Sequence, residues 1–346
     1  MSEEIKEIKN PLKEIVQPFI DLVHAPRALW GINLPYLLEG MCYFGILGYL
    51  AIYFSDIVFK GIAHNDVWSH RMVMVLTAGI TISMFFLGFV ADKFGIRKAL
   101  LVAFCLLLAG RVLISAGSFL GLDPGLWGGL HLITLAGMLL VVIGYGMYQP
   151  AAYAGVREVT NEKTAPMAFA MLYALMNLGG YIPTYAFLVR DKDYLGWGIP
   201  GAFWVYTFFT LIALTASFLI LSNKTYKEAV ENARAEKGMK PVSEEKPKEK
   251  KSVMDWLKNH PLTDLKFAFF IFALIPVQTL FTYNWLILPQ YISRCYEGWI
   301  GEKFEIASNF NPILIFIFVP IITALTYKRK VYNMMIIGTL VMARSE

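Results

Sequence analysis

Stretches of about twenty mainly apolar residues recur along the chain, separated by short polar segments. A helix of about 20 apolar residues crosses the roughly 30 Å hydrocarbon core of a bilayer, where the backbone must satisfy its own hydrogen bonds. The pattern therefore predicts an all-α integral membrane protein. The first six predicted spans lie at about residues 31–54, 71–90, 99–120, 130–153, 166–189 and 202–221.

A long polar segment separates these six spans from a second, shorter set. Residues 222–263 are rich in charged side chains, which predicts a solvated and partly disordered cytoplasmic linker. Two more spans are predicted at 265–292 and 311–327, and a last apolar run at 331–342 is too short to cross. The polar and then amphipathic start predicts a cytoplasmic interfacial segment. The predicted domains are 1–30, 31–221, 222–263 and 264–346.

Composition and charge narrow the class of protein further. The chain is 57% hydrophobic and has a mean hydropathy of +0.52, which excludes an ordinary soluble protein. The net charge of +5 comes from bases in alternate loops, which indicates membrane orientation and not nucleic-acid binding. This bias predicts a cytoplasmic N-terminus in an inner or plasma membrane. The three cysteines, Cys42, Cys105 and Cys295, lack the spacing of a metal site, and we expect no cofactor.

The turn between the second and third predicted spans carries a charged motif. Residues 88–98 read GFVADKFGIRK and combine two glycines, one acid and three bases. Gly88 and Gly95 permit close packing and a sharp turn, and Asp92 can pair with a base or cap a helix. A simpler interpretation is a basic loop that follows the positive-inside rule, but such a loop needs neither Asp92 nor the glycines. The spacing resembles the motif between the second and third helices of the major facilitator superfamily.

This resemblance implies two six-helix halves around a central cavity and a gating role for the hairpin. The hairpin would stabilise one conformation through charge and helix-dipole contacts that break when the halves rock. The gating residues would be Gly88, Asp92, Gly95, Arg97 and Lys98. Because the spans after the linker are too few for a complete second half, we expect either a fragment or helices supplied in some other way.

Four further stretches resemble the proton-dependent oligopeptide transporter branch of that superfamily. Residues 38–45, LEGMCYFG, resemble the latter part of its ExxERFxYYG motif, and residues 144–150, GYGMYQP, resemble its GxGxxKP segment. Residues 176–180, MNLGG, and 311–314, NPIL, are similar to parts of its fifth and eighth helices. The stretches touch most of the chain, and their order is more specific than any one of them.

The chain departs from this branch at charged positions. Tyr36 and Gly40 stand where the branch has the first Glu and the Arg of its motif, and Gln149 replaces its lysine. Predicted span 7 also has no acidic residue. Of the charged set that couples protons and holds peptide ends in the family, only Glu39 is present.

Two ionisable residues lie deep within predicted spans. Such a residue costs about 2.5 to 3.5 kcal/mol on insertion scales, so its presence indicates a function or a partner. We expect Glu39 to couple protons, since a buried carboxyl can exchange a proton near neutral pH. The alternative is a structural carboxylate that bonds a neighbouring helix. For Arg111, a structural pair with a carboxylate or helix C-terminus is favoured over contact with an anionic substrate.

Polar and aromatic side chains of the spans are candidates for substrate binding, with packing as the alternative interpretation. The resemblance favours Tyr43 and Gln149, whose counterparts face the cavity in the family, and gives weaker support to the others. The polar residues at 145, 148, 149 and 153 are interpreted as too unevenly spaced to share one helix face. The candidate substrate-binding set is Tyr43, Tyr148, Gln149, Asn177, Trp285 and Asn311.

These observations predict a secondary active transporter that works by alternating access. The predicted activity is proton-coupled uptake of a small polar organic solute, with di- or tripeptides as the leading candidates. The predicted partners are that solute and the lipid bilayer, and the proton gradient is the driving force. Two alternatives stay open: a proton/drug antiporter, and a truncated, non-transporting membrane sensor or remnant. The sequence has no nucleophile, phosphate loop or metal-ligand pair that would predict an enzyme.

Overall fold

The computed structural model describes residues 26–161, 164–238, 263–269, 271–273, 275, 286–326 and 331–345. Three predictions lie wholly or partly outside these residues: most of the N-terminal interfacial segment, the middle of the seventh predicted span at 276–285, and Trp285. Within the described residues the chain is helical, and seven stretches are long and apolar enough to cross a membrane. The predicted all-α membrane fold is confirmed.

The helices follow the predicted order. The N-terminal set consists of α1 (Arg27–Tyr53, continued by a π-helix at Phe54–Val58), α2 (Asn65–Leu87), α3 (Phe89–Phe94), α4 (Ile96–Gly117), α5 (Gly129–Val159), α6 (Ala165–Tyr181, then a 3-10 turn at Ile182–Tyr185), α7 (Phe187–Arg190) and α8 (Gly198–Ile220). A linker helix, α9 (Asn223–Glu236), follows. The C-terminal set comprises α10 (Leu288–Cys295), α11 (Trp299–Glu302), α12 (Phe304–Ser308), α13 (Phe310–Thr326) and α14 (Val331–Ser345).

Several helices extend beyond the predicted spans because a membrane helix can continue into the polar phase while its backbone stays bonded. Helix α2, the second predicted span, begins at Asn65, whose side-chain amide donates to the Ser55 carbonyl at 2.9 Å. Helix α5, the fourth predicted span, ends at Val159 instead of near residue 153. The fifth predicted span, which begins with α6, is interrupted at Ile182–Tyr185, because Pro183 lacks the backbone N–H that a regular α-helix needs.

Close backbone contacts hold the N-terminal set together around α1. A Cβ atom added at Gly40 of α1 would lie 2.5 Å from the Met176 carbonyl oxygen of α6, and one at Gly179 would lie 2.1 Å from the Leu37 carbonyl oxygen. The α4–α5 pair is equally close, since a Cβ at Gly110 would lie 2.5 Å from the Gly137 carbonyl oxygen. Small residues let membrane helices approach in this way, because lipid supplies no hydrophobic drive for association.

The first part of the predicted linker, residues 223–236, forms the helix α9, which the sequence analysis did not predict. Ser222 caps this helix by accepting a hydrogen bond from the Thr225 N–H at 3.1 Å. Its apolar positions, Tyr226, Ala229, Val230 and Ala233, recur at helical spacing and pack inward. The Tyr226 hydroxyl donates to Glu158 of α5, and burial and that carboxylate together raise the pKa of Tyr226. The phenol is therefore a neutral donor at physiological pH.

The bundle has two ends, which are distinguished here by name. We call the end that holds residues 88–98 the hairpin end, and the other, where α1 ends and α2 begins, the distal end. The C-terminal set meets the N-terminal set along α13, which packs on α6, and through the short helices α10 and α12 at the distal end.

Candidate functional site

A buried ion pair lies inside the N-terminal set. Glu39 of α1 and Arg111 of α4 are 1% and 2% exposed. Arg111 Nη1 donates to Glu39 Oε2 at 2.7 Å, and Arg111 Nη2 donates to Oε1 of the same carboxylate. This two-pronged geometry is the strongest that a guanidinium and a carboxylate can form. The structure therefore brings together the two ionisable residues that the sequence singled out separately.

Two neighbouring helices complete this arrangement. The Tyr145 hydroxyl of α5 donates to Glu39 Oε1, and Arg111 Nη1 donates to the Thr210 hydroxyl of α8 at 2.5 Å. We call Glu39, Arg111, Tyr145 and Thr210 the Glu39 cluster. Its members come from four helices of one set, both carboxylate oxygens have partners, and the pair carries no net charge. A structural pair is the interpretation that this geometry favours for Arg111, while proton coupling by Glu39 stays a prediction.

The α5 residues at 145, 148, 149 and 153 do share one face, so the earlier interpretation of their spacing is wrong. All four side chains contact α1. Tyr145 contacts Glu39, and the other three contact Tyr36. The Tyr36 hydroxyl donates to Gln149 Oε1 at 2.7 Å, its ring stacks on Tyr148 with centroids 5.7 Å apart, and Tyr153 meets it edge-on at 6.3 Å. Offsets of 3, 4 and 8 residues are typical of a single helix face.

The other candidate substrate residues are dispersed. Tyr43 is half-buried with its ring 5.0 Å from Tyr145, beside the Glu39 cluster. Asn177 of α6 is buried, and its amide donates to the Tyr173 carbonyl of its own helix at 2.9 Å. Asn311 is half-buried near the start of α13. Tyr43, Tyr148 and Gln149 thus lie together, whereas Asn177 and Asn311 lie on other helices.

The hairpin forms the sharp turn that its glycines predict. Gly95 has φ = +89°, a conformation that residues with a Cβ rarely adopt, whereas Gly88 is helical and lies opposite Pro150. Arg97 Nε donates to the Leu221 carbonyl at 2.5 Å, at the C-terminal end of α8, so this contact stays within the N-terminal set. Asp92 and Lys98 are exposed, and Asp92 forms no ion pair with any residue that the structure describes.

A second ionic site joins the two sets at the distal end, and the sequence analysis missed it. Glu305 of α12 is 3% exposed. Its Oε1 accepts a hydrogen bond from the Tyr49 hydroxyl of α1 at 2.5 Å and one from Arg190 Nε of α7 at 2.8 Å. Arg190 also pairs with its neighbour Asp191 at 2.8 Å. We call Tyr49, Arg190, Asp191 and Glu305 the Glu305 cluster.

Three further contacts between the two sets lie near the same end. Arg294 of α10 pairs with Asp66 of α2 at 2.5 Å and with Asp56 at 3.2 Å, and Gln290 donates to Asp66 at 3.2 Å. Arg294 is 40% exposed, so solvent screens these pairs. Among the described residues, every ion pair between the two sets lies at the distal end. No cluster of three or more His, Cys, Asp or Glu residues suited to a metal occurs in the described part of the chain.

Comparison with known proteins identifies the fold. A family model described as the Major Facilitator Superfamily matches residues 68–343. A solved structure of a peptide transporter POT in complex with sulfate has a TM-score of 0.57 at 14% identity, over 88% of this chain and 69% of that chain. A bacterial homologue of the human drug peptide transporters PepT1 and PepT2 has a TM-score of 0.55 at 18% identity, over 86% and 70%.

At these low sequence identities the likeness shows a shared fold. The matched structures are longer than this chain. The chain spans 51% to 53% of several other peptide transporter structures that it matches. A comparison with curated proteins gives no match. The family model covers most of the chain, in agreement with the hairpin motif and the order of the helices. The chain belongs to the Major Facilitator Superfamily.

Proposed function

We propose that this protein is a secondary active transporter that works by alternating access and couples uptake of a small polar organic solute to protons. Di- or tripeptides are the leading candidates for the solute. Membership of the Major Facilitator Superfamily supports transport in general. The likeness to peptide transporters supports the choice of solute only through the shared fold.

The observation that carries the proposal is the way in which the two sets of helices meet. Ion pairs join them at the distal end, through Arg190 and Glu305 and through Arg294 and Asp66. The exposed Arg294–Asp66 pair exchanges readily for water, whereas the buried Arg190–Glu305 pair holds the sets together more firmly, so the two sets can separate there and re-form the pairs. A bundle that opens and closes at one end in this way is suited to alternating access.

The solute-binding surface that we propose lies on the α1 and α5 helices. Tyr43 supplies a hydroxyl beside the Glu39 cluster and Gln149 supplies an amide next to Tyr36, so a polar solute would find both donors and acceptors there. Tyr148 adds an aromatic face and a hydroxyl that has no hydrogen-bond partner among the described residues. Groups of this kind suit the amides and termini of a short peptide, which is why we place peptides first.

The proposal is tested with the purified protein in proteoliposomes. An inward proton gradient should drive accumulation of radiolabelled dialanine, and a protonophore should abolish it. Competition by unlabelled di- and tripeptides, but not by free alanine, would support the peptide class. Absence of uptake together with proton-driven efflux of ethidium would contradict the proposal and favour a proton/drug antiporter. Binding of dialanine without any flux would favour a non-transporting sensor.

A further inference from the structure

The turn between α4 and α5 holds a tryptophan in a strained backbone conformation. Trp127 has φ = +65°, which residues with a Cβ rarely adopt. Among the non-glycine residues that the structure describes, only His64 shares a positive φ. The Trp127 side chain is 69% exposed, so packing in the protein core does not account for this conformation. Strain at an exposed aromatic residue points to a contact outside the protein.

His131 of α5 holds Trp127 in this conformation. It is 2% exposed, and its Nδ1 accepts a hydrogen bond from the Trp127 backbone N–H at 3.0 Å. The centre of its ring lies 4.9 Å from that of Phe59 and 5.6 Å from that of Trp127. A bond from the Gly125 N–H to the Val58 carbonyl at 2.7 Å ties the same turn to the end of α1. The turn therefore presents Trp127 in a fixed position.

An exposed stripe on α4 indicates which phase surrounds this turn. The stripe follows the spacing of one helix face, and its exposed members within α4 are Lys98, Val102, Cys105, Ala109 and Val112. Phe119, just after the helix, continues the series. At about 1.5 Å per residue, the stripe from Lys98 to Phe119 is about 31 Å long, which matches the hydrocarbon core of a bilayer. The stripe therefore has the length of a lipid-facing surface.

Three large apolar side chains lie at the distal end of this stripe. Phe119, Leu120 and Trp127 are 65%, 58% and 69% exposed. The ends of α4 and α5 are adjacent there, since a Cβ atom added at Gly117 would lie 3.1 Å from Leu130 Cδ1. The exposed apolar surface thus continues from α4 across the turn to Trp127.

We propose that Phe119, Leu120 and Trp127 anchor the distal end in the boundary between lipid headgroups and acyl chains, and that His131 positions Trp127 for this contact. An indole suits that boundary because its ring is apolar while its N–H donates to headgroup oxygens. Lipid is favoured over a second copy of the chain as the occupant, because the three side chains continue a stripe that matches the hydrocarbon core. The inference goes beyond the proposed transport function and does not depend on it.

Quenching of tryptophan fluorescence by brominated lipids tests the anchor. The protein is reconstituted into phosphatidylcholine vesicles whose lipids carry bromine either near the headgroup or near the end of the acyl chain. The Trp127 emission is the difference between the wild-type protein and Trp127→Phe. Shallow bromine should quench it more strongly than deep bromine, and iodide in the water should quench it weakly. Trp68→Phe is the matched control, because Trp68 is half-buried beneath Arg71 and should show a smaller lipid effect.

Two His131 variants test the positioning role. His131→Asn keeps an acceptor close to the place of Nδ1 and should keep the shallow quenching of Trp127, whereas His131→Phe keeps a ring without an acceptor and should lose it. Each variant is compared with the same variant carrying Trp127→Phe, so that the signal belongs to Trp127. Equal shallow quenching in both would overturn the role of His131. Quenching of Trp127 by iodide alone, or by neither agent as in a contact between two copies, would overturn the anchor, and that comparison needs no His131 variant.

Discussion

At the scale of single residues, the Glu39–Arg111 pair is the feature with the largest energetic consequence. Each partner is almost completely buried, and each satisfies the other with two hydrogen bonds. Removal of one partner from a buried pair leaves an uncompensated charge in a medium that solvates it poorly, whereas removal of both leaves two neutral groups. The pair therefore stabilises the junction of α1 and α4 only as a unit.

We predict that Glu39→Gln lowers the free energy of unfolding by about 3 to 5 kcal/mol, because Arg111 then has no counter-charge. The double variant Glu39→Gln/Arg111→Gln should be more stable than the single Glu39→Gln variant. Unfolding in mixed detergent micelles, followed by circular dichroism, measures both. Additive losses in the double variant would contradict the assignment of a coupled pair.

The sequence could predict the types of the site residues but not their pairing. It indicated that Glu39 and Arg111 were exceptional, because charges inside apolar runs are costly. It could not predict that they meet, since 72 positions separate them and no local period links them. The Tyr145, Tyr148 and Gln149 face was available in the spacing and was misinterpreted. Glu305 had no such signal, because it lies in a loop region with several other charges and only its tertiary contacts distinguish it.

At the scale of helices, glycine contacts determine how close α1 comes to α6. Gly40 faces the Met176 backbone, so a side chain there would have to push the helices apart. Gly48, two turns further along α1, has open space around it. The same helix thus contains a crowded glycine and an uncrowded one, which makes a matched comparison possible.

We predict that Gly40→Ala destabilises the protein by about 1 to 3 kcal/mol, the usual cost of overpacking, and that Gly48→Ala has little effect. Thermal denaturation of the two purified variants under identical conditions would measure the difference. Equal melting temperatures for both variants would show that α1 and α6 are not in close contact in the membrane.

Helix positions were more predictable than helix ends. The periodic apolar runs identified all six N-terminal spans, because a bilayer imposes one length on each of them. Their ends depend on contacts that composition does not contain, such as the bond from Asn65 to the Ser55 carbonyl. The linker helix α9 was missed because its high charge obscured an apolar stripe, Tyr226 to Ala233, that packs on the end of α5.

At the scale of the whole molecule, the distribution of ion pairs gives the two ends different roles. At the distal end, Glu305 and Arg294 belong to the C-terminal set and pair with the N-terminal set. At the hairpin end, Arg97 contacts the end of α8 within its own set, and the gating role of the hairpin stays a prediction. We therefore expect the distal end to be the joined end of this conformation.

The most direct test is a pair of distances measured in the same protein by electron paramagnetic resonance. Spin labels at Lys192 and Glu297 would report the distal end, and labels at Lys98 and Lys266 the hairpin end, with the three native cysteines replaced by serine. All four labelled positions are exposed. On acidification with dialanine present, the distal distance should lengthen while the hairpin distance shortens. Two distances that stay fixed, or that lengthen together, would contradict alternating access.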